Sequence, residues 1–145
     1  MSMKNEMKLI MDAISENEAL ARVTAATFLS SLHPTLEEME DVKTAVSEAV
    51  TNAIIHGVPE DGKVYITCMS EKNIFKVIIE DRGVGMENVE RAMEPLFTTK
   101  PQQDRAGMGF AFMEAFMDEL KVTSAPGKGT TVQMEKAIGF SRYEE

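Results

Sequence analysis

The centre of the chain holds the pattern that most restricts the fold: two alternating runs, KVYITCMS and NIFKVIIED, separated by Glu71 and Lys72. Two such runs around a short turn predict an antiparallel β-hairpin. Side chains alternate between the two faces of a strand, so the second run forms one apolar row that ends in an acid. The members of this row are Phe75, Val77, Ile79 and Asp81. We therefore expect Asp81 to point inward from the end of a buried strand.

Two glycines follow this acid in the sequence DRGVG. Gly83 and Gly85 permit backbone conformations, and the close approach of a ligand, that a side chain would obstruct. The motif alone is weak, because Asp and Gly are also common turn residues. An inward-pointing acid at the end of a strand makes it a stronger candidate for a binding site.

Further strands are predicted near both ends of the chain. The segment MKLIMDA, residues 7–13, alternates like a half-buried strand. LKVTSA and TTVQME, on either side of the turn PGKG, predict a second hairpin. In its last strand Thr130, Val132 and Met134 share a face, so Thr130 is expected to point inward.

Two helices are predicted between the first strand and the central hairpin. Ser15 with Glu18, and Thr35 with Glu38, have the spacing of capping boxes, in which a hydroxyl and a carboxylate satisfy the first backbone amides of a helix. The first helix is expected to stop at His33-Pro34, because a residue before proline disfavours helical geometry. The first strand is therefore followed by two capped helices.

The second helix is predicted to reach about His56, with Gly57 placed to end it. Glu48, Asn52 and His56 are four residues apart and form one slanting row along this helix. The row approaches the edge of the apolar face, where a carboxylate or an amide is costly to bury without a partner. It is either a solvated polar stripe or part of a site.

The segment PLFTTKPQQDRAGMGF precedes a run that is apolar nearly all round and predicts a buried helix starting at Met108. Free backbone amides at the start of a helix attract anions, so Gly107 and Gly109 would mark an anion-binding end. Hydroxyl and basic side chains would surround the same point: Thr98, Thr99, Lys100 and Arg105. The alternative is a solvated loop with incidental charges.

Composition and missing motifs exclude several classes of function. A formal charge of −9 argues against nucleic-acid binding. The single cysteine, Cys68, allows no intrachain disulfide, and no apolar run approaches the roughly 18 residues of a membrane span. Because the first ten residues lack the core of a signal peptide, we expect a cytosolic protein. APGKGTT lacks the leading glycine of a P-loop, GMGFAF lacks the third glycine of a dinucleotide motif, and no zinc cage is supported.

The motifs that remain occur in an order that resembles the ATP-binding fold shared by gyrase, Hsp90, histidine kinases and MutL. Within that fold, SEAVTNAIIHG, EDRGVG, PLFTTKP and GMGF are similar to the small anti-sigma factor serine kinases of sporulating bacteria. The resemblance covers Asn5 to Met134. It implies a two-layer α/β sandwich, with helices on one face of a mixed, largely antiparallel sheet, and a single ATP-binding kinase domain over residues 1–145.

The resemblance also implies roles for the residues around the adenine and the metal. Asn52 would bind a Mg²⁺ that carries the phosphates of ATP or ADP. Glu48 would orient or deprotonate the attacking hydroxyl. Asp81 would accept a hydrogen bond from the adenine amino group, with Thr130 helping through a water molecule. The glycines of DRGVG, Gly83 and Gly85, would let the base and sugar approach the backbone.

The phosphate contacts are implied in the same way. The amides of Gly107, Met108 and Gly109 would bind phosphate oxygens. Lys100 and Arg105 would neutralise charge, with Thr98 and Thr99 beside them.

The function implied is that of a protein serine kinase and anti-sigma factor. It would phosphorylate a serine of an anti-anti-sigma protein and, as a homodimer, hold a sporulation sigma factor inactive. Arg22, on the first helix, is a candidate contact for either partner. The alternatives are a stress-response anti-sigma kinase, a nucleotide-gated binding module without catalysis, and a detached ATP domain of a histidine kinase.

Overall fold

The computed structural model describes residues 4–57, 59–93 and 101–139, with the backbone alone over 101–107. One layer is a five-stranded sheet in the order β1-β2-β3-β5-β4. Its strands are β1 (Lys4–Asp12), β2 (Lys63–Glu71), β3 (Ile74–Asp81), β4 (Glu119–Ser124) and β5 (Thr130–Ala137). The other layer contains α1 (Asn17–Ser30), α2 (Leu36–Asn52), a π-helical turn (Ala53–Gly57), a short α3 (Val89–Ala92) and α4 (Pro101–Phe116).

The predicted two-layer sandwich is confirmed, and the sheet is more regular than expected. Every neighbouring pair among the described strands is antiparallel, whereas the resemblance implies a mixed, largely antiparallel sheet. The reason is that β5, rather than β4, lies beside β3. The second hairpin therefore pairs with the first through its second strand, β5, which runs antiparallel to β3. β4, which runs parallel to β3, lies at the edge of the sheet and does not pair with it.

The core lies between the helices and one face of the sheet. The predicted row on β3 is buried, and Asp81 at its end is only 4% exposed. Facing it, α2 buries Val42, Val46, Ala49 and Val50. The π-turn continues α2 without a break, so the helical segment ends at Gly57 as expected.

One of the two predicted capping boxes forms. Thr35 Oγ1 accepts from the Glu38 amide at 3.0 Å, and the Glu38 carboxylate accepts from the Thr35 amide at 2.9 Å. The prediction of a capping box at Ser15 is wrong, because α1 begins at Asn17 without a side-chain cap. The carboxylate of Glu18 instead accepts from Arg22 Nε at 2.9 Å, a charge-assisted bond that is stronger than a capping bond between neutral groups.

The start of α4 also differs from the sequence expectation. The helix begins at Pro101, well before Met108, so Gly107, Met108 and Gly109 lie inside it. Proline is favoured at the first helical position, and an internal glycine costs only about 1 kcal/mol. The expected free amides at the start of this helix are therefore absent from that point of the described chain. At its other end, Lys136 Nζ donates to the Phe116 carbonyl at 2.7 Å.

In the described part of the chain, no helix is both long and apolar enough to cross a bilayer.

Candidate functional site

A cavity lies where the π-turn and α4 meet the end of the sheet. Its polar wall contains Asn52 and His56 from the helical segment, Asp81 from β3 and Thr130 from β5. Apolar side chains, among them Met86 and Phe110, and two glycines form the remainder. The structure thus brings together an amide and an imidazole from one helical segment with an acid and a hydroxyl from two distant strands.

Asp81 is the buried acid of this cavity. Burial raises the pKa of its carboxyl group to about 6, although the backbone amides of Gly83 and Thr130 favour the charged form. The Gly83 amide donates to Asp81 Oδ1 at 3.0 Å. Above about pH 6 this carboxylate can only accept hydrogen bonds, which suits a ligand that presents a donor.

The glycines of DRGVG are required by close packing of the protein itself. A Cβ at Gly83 would stand 1.8 Å from the Gly57 carbonyl oxygen, and one at Gly85 would stand 1.9 Å from the Ala125 carbonyl oxygen. Neither backbone oxygen can move away cheaply. Both glycines are therefore needed for packing within the protein, and not only for the approach of a ligand that the motif suggests. Of the two, Gly85 also lines the cavity.

The segment from Arg82 to Met86, which we call the strap, bridges two distant parts of the chain. The Val84 amide donates to the Gly57 carbonyl at 2.8 Å, at the end of the π-turn. The Gly127 amide donates to the Val84 carbonyl at 2.7 Å, in the turn between β4 and β5. The strap therefore connects the helical layer to the second hairpin beside Asp81.

Ser124 is a polar residue of this region that the sequence reasoning missed. Its hydroxyl oxygen lies 2.9 Å from the Met86 amide nitrogen, 2.8 Å from the Gly129 carbonyl oxygen and 2.8 Å from Thr130 Oγ1. Its sequence context, a serine at the end of a predicted strand, is unremarkable. The only signal is its place opposite Thr130 across a hairpin, and the pairing of Ser124 with Thr130 verifies that register.

The row on α2 meets α4 at a glycine. A Cβ at Gly109 would lie 3.1 Å from Glu48 Oε1 and 3.2 Å from Asn52 Nδ2, so both polar groups converge on one point of the α4 backbone. The Asn52 Nδ2 atom is buried and has no hydrogen-bond partner in the described part of the chain. A buried, unsatisfied amide is costly and requires an explanation.

His56 lies in the π-turn rather than on regular α-helix. A π-turn bonds residues five apart instead of four, so His56 does not continue the row of Glu48 and Asn52 in register. It still lines the cavity. The row predicted from spacing therefore contains only Glu48 and Asn52, and His56 lies outside it.

The remaining expected site residues either fall outside the described part of the chain or do not line the cavity. Thr98, Thr99 and Lys100 are outside the described residues, as is the side chain of Arg105. Met108 is 43% exposed on α4. Arg22 lies on α1, where it is paired with Glu18, and is not among the residues that line the cavity.

Comparison with known proteins gives consistent matches. A family model described as the histidine kinase-like ATPase domain matches residues 12–136. The anti-sigma F factor of Bacillus subtilis is 50% identical over 142 residues, covering 97% of each chain. The anti-sigma F factor of a Geobacillus strain is 53% identical over the same share of each chain.

One solved structure has the same fold at low sequence identity. The RsbU and RsbW domains of a Mycobacterium tuberculosis protein align with a TM-score of 0.69 and 18% identity. The alignment covers 92% of this chain and 32% of the longer one.

Proposed function

The chain belongs to the anti-sigma F factor family and carries its histidine kinase-like ATPase domain; from this premise we propose that it is an ATP-dependent protein serine kinase that also inhibits a sporulation sigma factor. We take residues 1–145 as a single kinase domain. The observation that carries the proposal is the cavity itself, which joins a buried acceptor, Asp81, to the unsatisfied amide of Asn52.

Asp81 and Thr130 would hold the adenine. The Asp81 carboxyl group is buried, and burial raises its pKa to about 6. Asp81 pairs with Thr130 across the β3–β5 ladder. An ionised carboxylate accepts the hydrogen bond that an exocyclic amino group donates. The apolar wall formed by Met86 and Phe110 is suited to the faces of a base.

Asn52 and Glu48 would lie at the phosphate end. Bound MgATP would supply the transferable phosphoryl group and the charge of the cation. Rotation of the Asn52 side-chain amide by 180° about its Cβ–Cγ bond would place Oδ1 where the unsatisfied Nδ2 atom lies. An amide oxygen is a ligand that Mg²⁺ accepts. Within the described residues, no three His, Cys, Asp or Glu side chains converge as a metal site. The phosphates of the nucleotide would therefore supply most of the ligands of the Mg²⁺ ion, with Asn52 adding one.

Glu48 is the proposed catalytic residue. Its carboxylate and the Asn52 amide both lie beside the Gly109 backbone, so the proton acceptor would stand next to the phosphate-binding end. There it would orient or deprotonate the serine hydroxyl of the partner. Lys100 and Arg105 would neutralise the charge of the phosphates, with the hydroxyls of Thr98 and Thr99 beside them. The amides of Gly107, Met108 and Gly109 lie inside α4 and would not serve as phosphate ligands.

Two protein partners complete the proposal: a sigma factor and an anti-anti-sigma protein that supplies the serine. The kinase would act as a homodimer, and Arg22 on α1 would contact at least one partner. Its guanidinium is only partly engaged by Glu18, with 35% of the side chain exposed. An arginine fixed on a helix surface offers a directional donor to a carboxylate of a partner.

The experiment is incubation with γ-labelled ATP, Mg²⁺ and a candidate anti-anti-sigma protein, followed by identification of the phosphorylated residue. We expect phosphoserine, and no transfer to a partner whose acceptor serine is replaced by alanine. A product stable to alkali but not to acid would identify phosphohistidine and overturn the assignment. Nucleotide binding without any transfer would instead identify a nucleotide-gated binding module.

A further inference from the structure

Three polar groups surround the hydroxyl oxygen of Ser124. They are the Met86 amide at 2.9 Å, the Gly129 carbonyl at 2.8 Å and the Thr130 hydroxyl at 2.8 Å. All three lie within hydrogen-bonding distance, and Ser124 is half-buried. The strap and the strand that carries Thr130 therefore meet at this one side chain.

Counting protons fixes the direction of each bond. The Met86 amide can only donate, and the Gly129 carbonyl can only accept. Ser124 has a single proton, which the Gly129 carbonyl requires. The bond to Thr130 must then be donated by Thr130, because the proton of Ser124 is already used. Only this assignment makes all three contacts hydrogen bonds.

The consequence reaches the cavity through Thr130. Once its proton is directed at Ser124, the Thr130 oxygen has only lone pairs left for a ligand. Asp81, its partner across the β3–β5 pair, is also an acceptor when ionised. Both polar groups at this end of the cavity therefore accept hydrogen bonds and donate none.

We propose that Ser124 is a positioning residue that holds the Thr130 hydroxyl as an acceptor and thereby makes the cavity select a 6-amino purine over a 6-oxo purine. The inference rests on the proposed nucleotide function and adds to it a determinant of base specificity. A 6-amino group donates to both acceptors, whether directly or through a water molecule. A 6-oxo group would face two acceptors without a donor, which is the arrangement that rejects a ligand most strongly.

Calorimetry with ADP and IDP tests this, because the two bases differ only at the 6-position and the adjacent ring nitrogen. Measurements at pH 8 keep Asp81 ionised. The variant Ser124→Ala frees the Thr130 proton, which can then be donated to a 6-oxo group. We expect the preference for ADP over IDP to fall about threefold to tenfold, the value of one hydrogen bond. The separate variant Ser124→Thr keeps the hydroxyl and should retain the wild-type preference for ADP.

The specificity ratio separates this role from a structural one. Loss of the Met86 contact alone would weaken both nucleotides equally and leave the ratio unchanged. Thr123→Ala, on the opposite face of the same strand, is the matched control and should preserve the ratio. In a Thr130→Val background, adding Ser124→Ala should have no further effect on it, since the hydroxyl being positioned is gone.

The failures are distinguishable. A wild-type protein that binds ADP and prefers it to IDP, with an unchanged ratio in Ser124→Ala, would overturn this inference and leave the proposed function intact. A wild-type protein that binds neither nucleotide would overturn both.

Discussion

The carboxyl group of Asp81 occupies the space where a side chain at Gly57 would begin: a Cβ there would stand 2.7 Å from Asp81 Cγ. The last residue of the π-turn therefore packs directly on the acid that ends β3. Gly57 lies at the end of a helical segment, as the sequence predicts, but the contact gives it a second role. The position of Asp81 in the cavity depends on a residue 24 positions earlier, in the helical layer of the fold.

Gly57→Ala should displace the Asp81 carboxylate. The added methyl group cannot be accommodated without a shift, and overpacking of this kind costs about 1–3 kcal/mol of stability. Because Asp81 moves, we expect weaker ADP binding as well, measured by calorimetry beside a thermal melt. Gly62→Ala is the control. Its new Cβ meets nothing within 4 Å, so its only cost is the backbone strain of a φ of +69°. Equal ADP affinity in wild type and Gly57→Ala would contradict the proposed role of this contact.

Asp81→Asn should change the pH dependence of both stability and binding. Burial raises the pKa of Asp81 to about 6, so the native state binds its proton more tightly than the unfolded chain does. Wild-type stability relative to Asp81→Asn should therefore fall as pH rises from about 4 to about 6, by up to about 3 kcal/mol, and then level off. Denaturant unfolding across this range measures the difference.

Nucleotide binding should follow the opposite direction. The adenine amino group needs the ionised acceptor, so wild-type affinity for ADP should decrease as pH falls through about 6. In Asp81→Asn, ATP and ADP should both bind more weakly at every pH, and this titration should disappear. Unchanged binding of both nucleotides by the variant would place the base elsewhere.

Glu48→Gln should separate binding from phosphoryl transfer. The variant keeps the size of the side chain beside Gly109 but removes the charge that would activate or orient the serine hydroxyl. We expect MgATP affinity close to wild type and a single-turnover rate lower by about 10²- to 10⁴-fold. A transfer rate close to wild type at saturating nucleotide would exclude a catalytic role for this carboxylate.

Asn52→Ala should fail at an earlier step. Removing the amide eliminates the proposed Mg²⁺ ligand, so nucleotide affinity measured with Mg²⁺ should decrease. Affinity for ADP in the presence of a chelator should change much less, which distinguishes loss of a metal contact from general damage. The stability of the variant should not fall greatly, because the Nδ2 atom it removes is unsatisfied in the described structure. Equal losses with and without Mg²⁺ would point to a structural role.

Arg22→Glu should weaken binding to the sigma factor, the anti-anti-sigma protein or both, and leave ATP binding intact. The variant reverses the charge on α1 and places it beside Glu18, away from the residues that line the cavity. Lys43→Glu is the matched control, since Lys43 is also paired along its own helix, with Glu40 at 3.2 Å, and is similarly exposed. Wild-type retention of both partners by Arg22→Glu would exclude Arg22 as a partner contact.

The sequence alone determined the elements whose signals are local. The alternation on β3 placed Phe75 and Asp81 on the buried face, and the spacing of Thr35 and Glu38 identified a capping box that the structure contains. Both rest on the fixed geometry of a single strand or helix, which is the same wherever the segment lies. The order of the motifs was also sufficient to identify the family.

Only the tertiary structure decided what surrounds these elements. Ser15 loses its expected partner because Glu18 pairs with Arg22, and α4 extends back to Pro101 although the apolar run begins only at Met108. The contact of Gly57 with Asp81 and the bond from the Met86 amide to Ser124 join segments from different parts of the chain. Such contacts have no periodicity in the sequence, because they depend on how separate elements pack and on where each hydroxyl finds a proton acceptor.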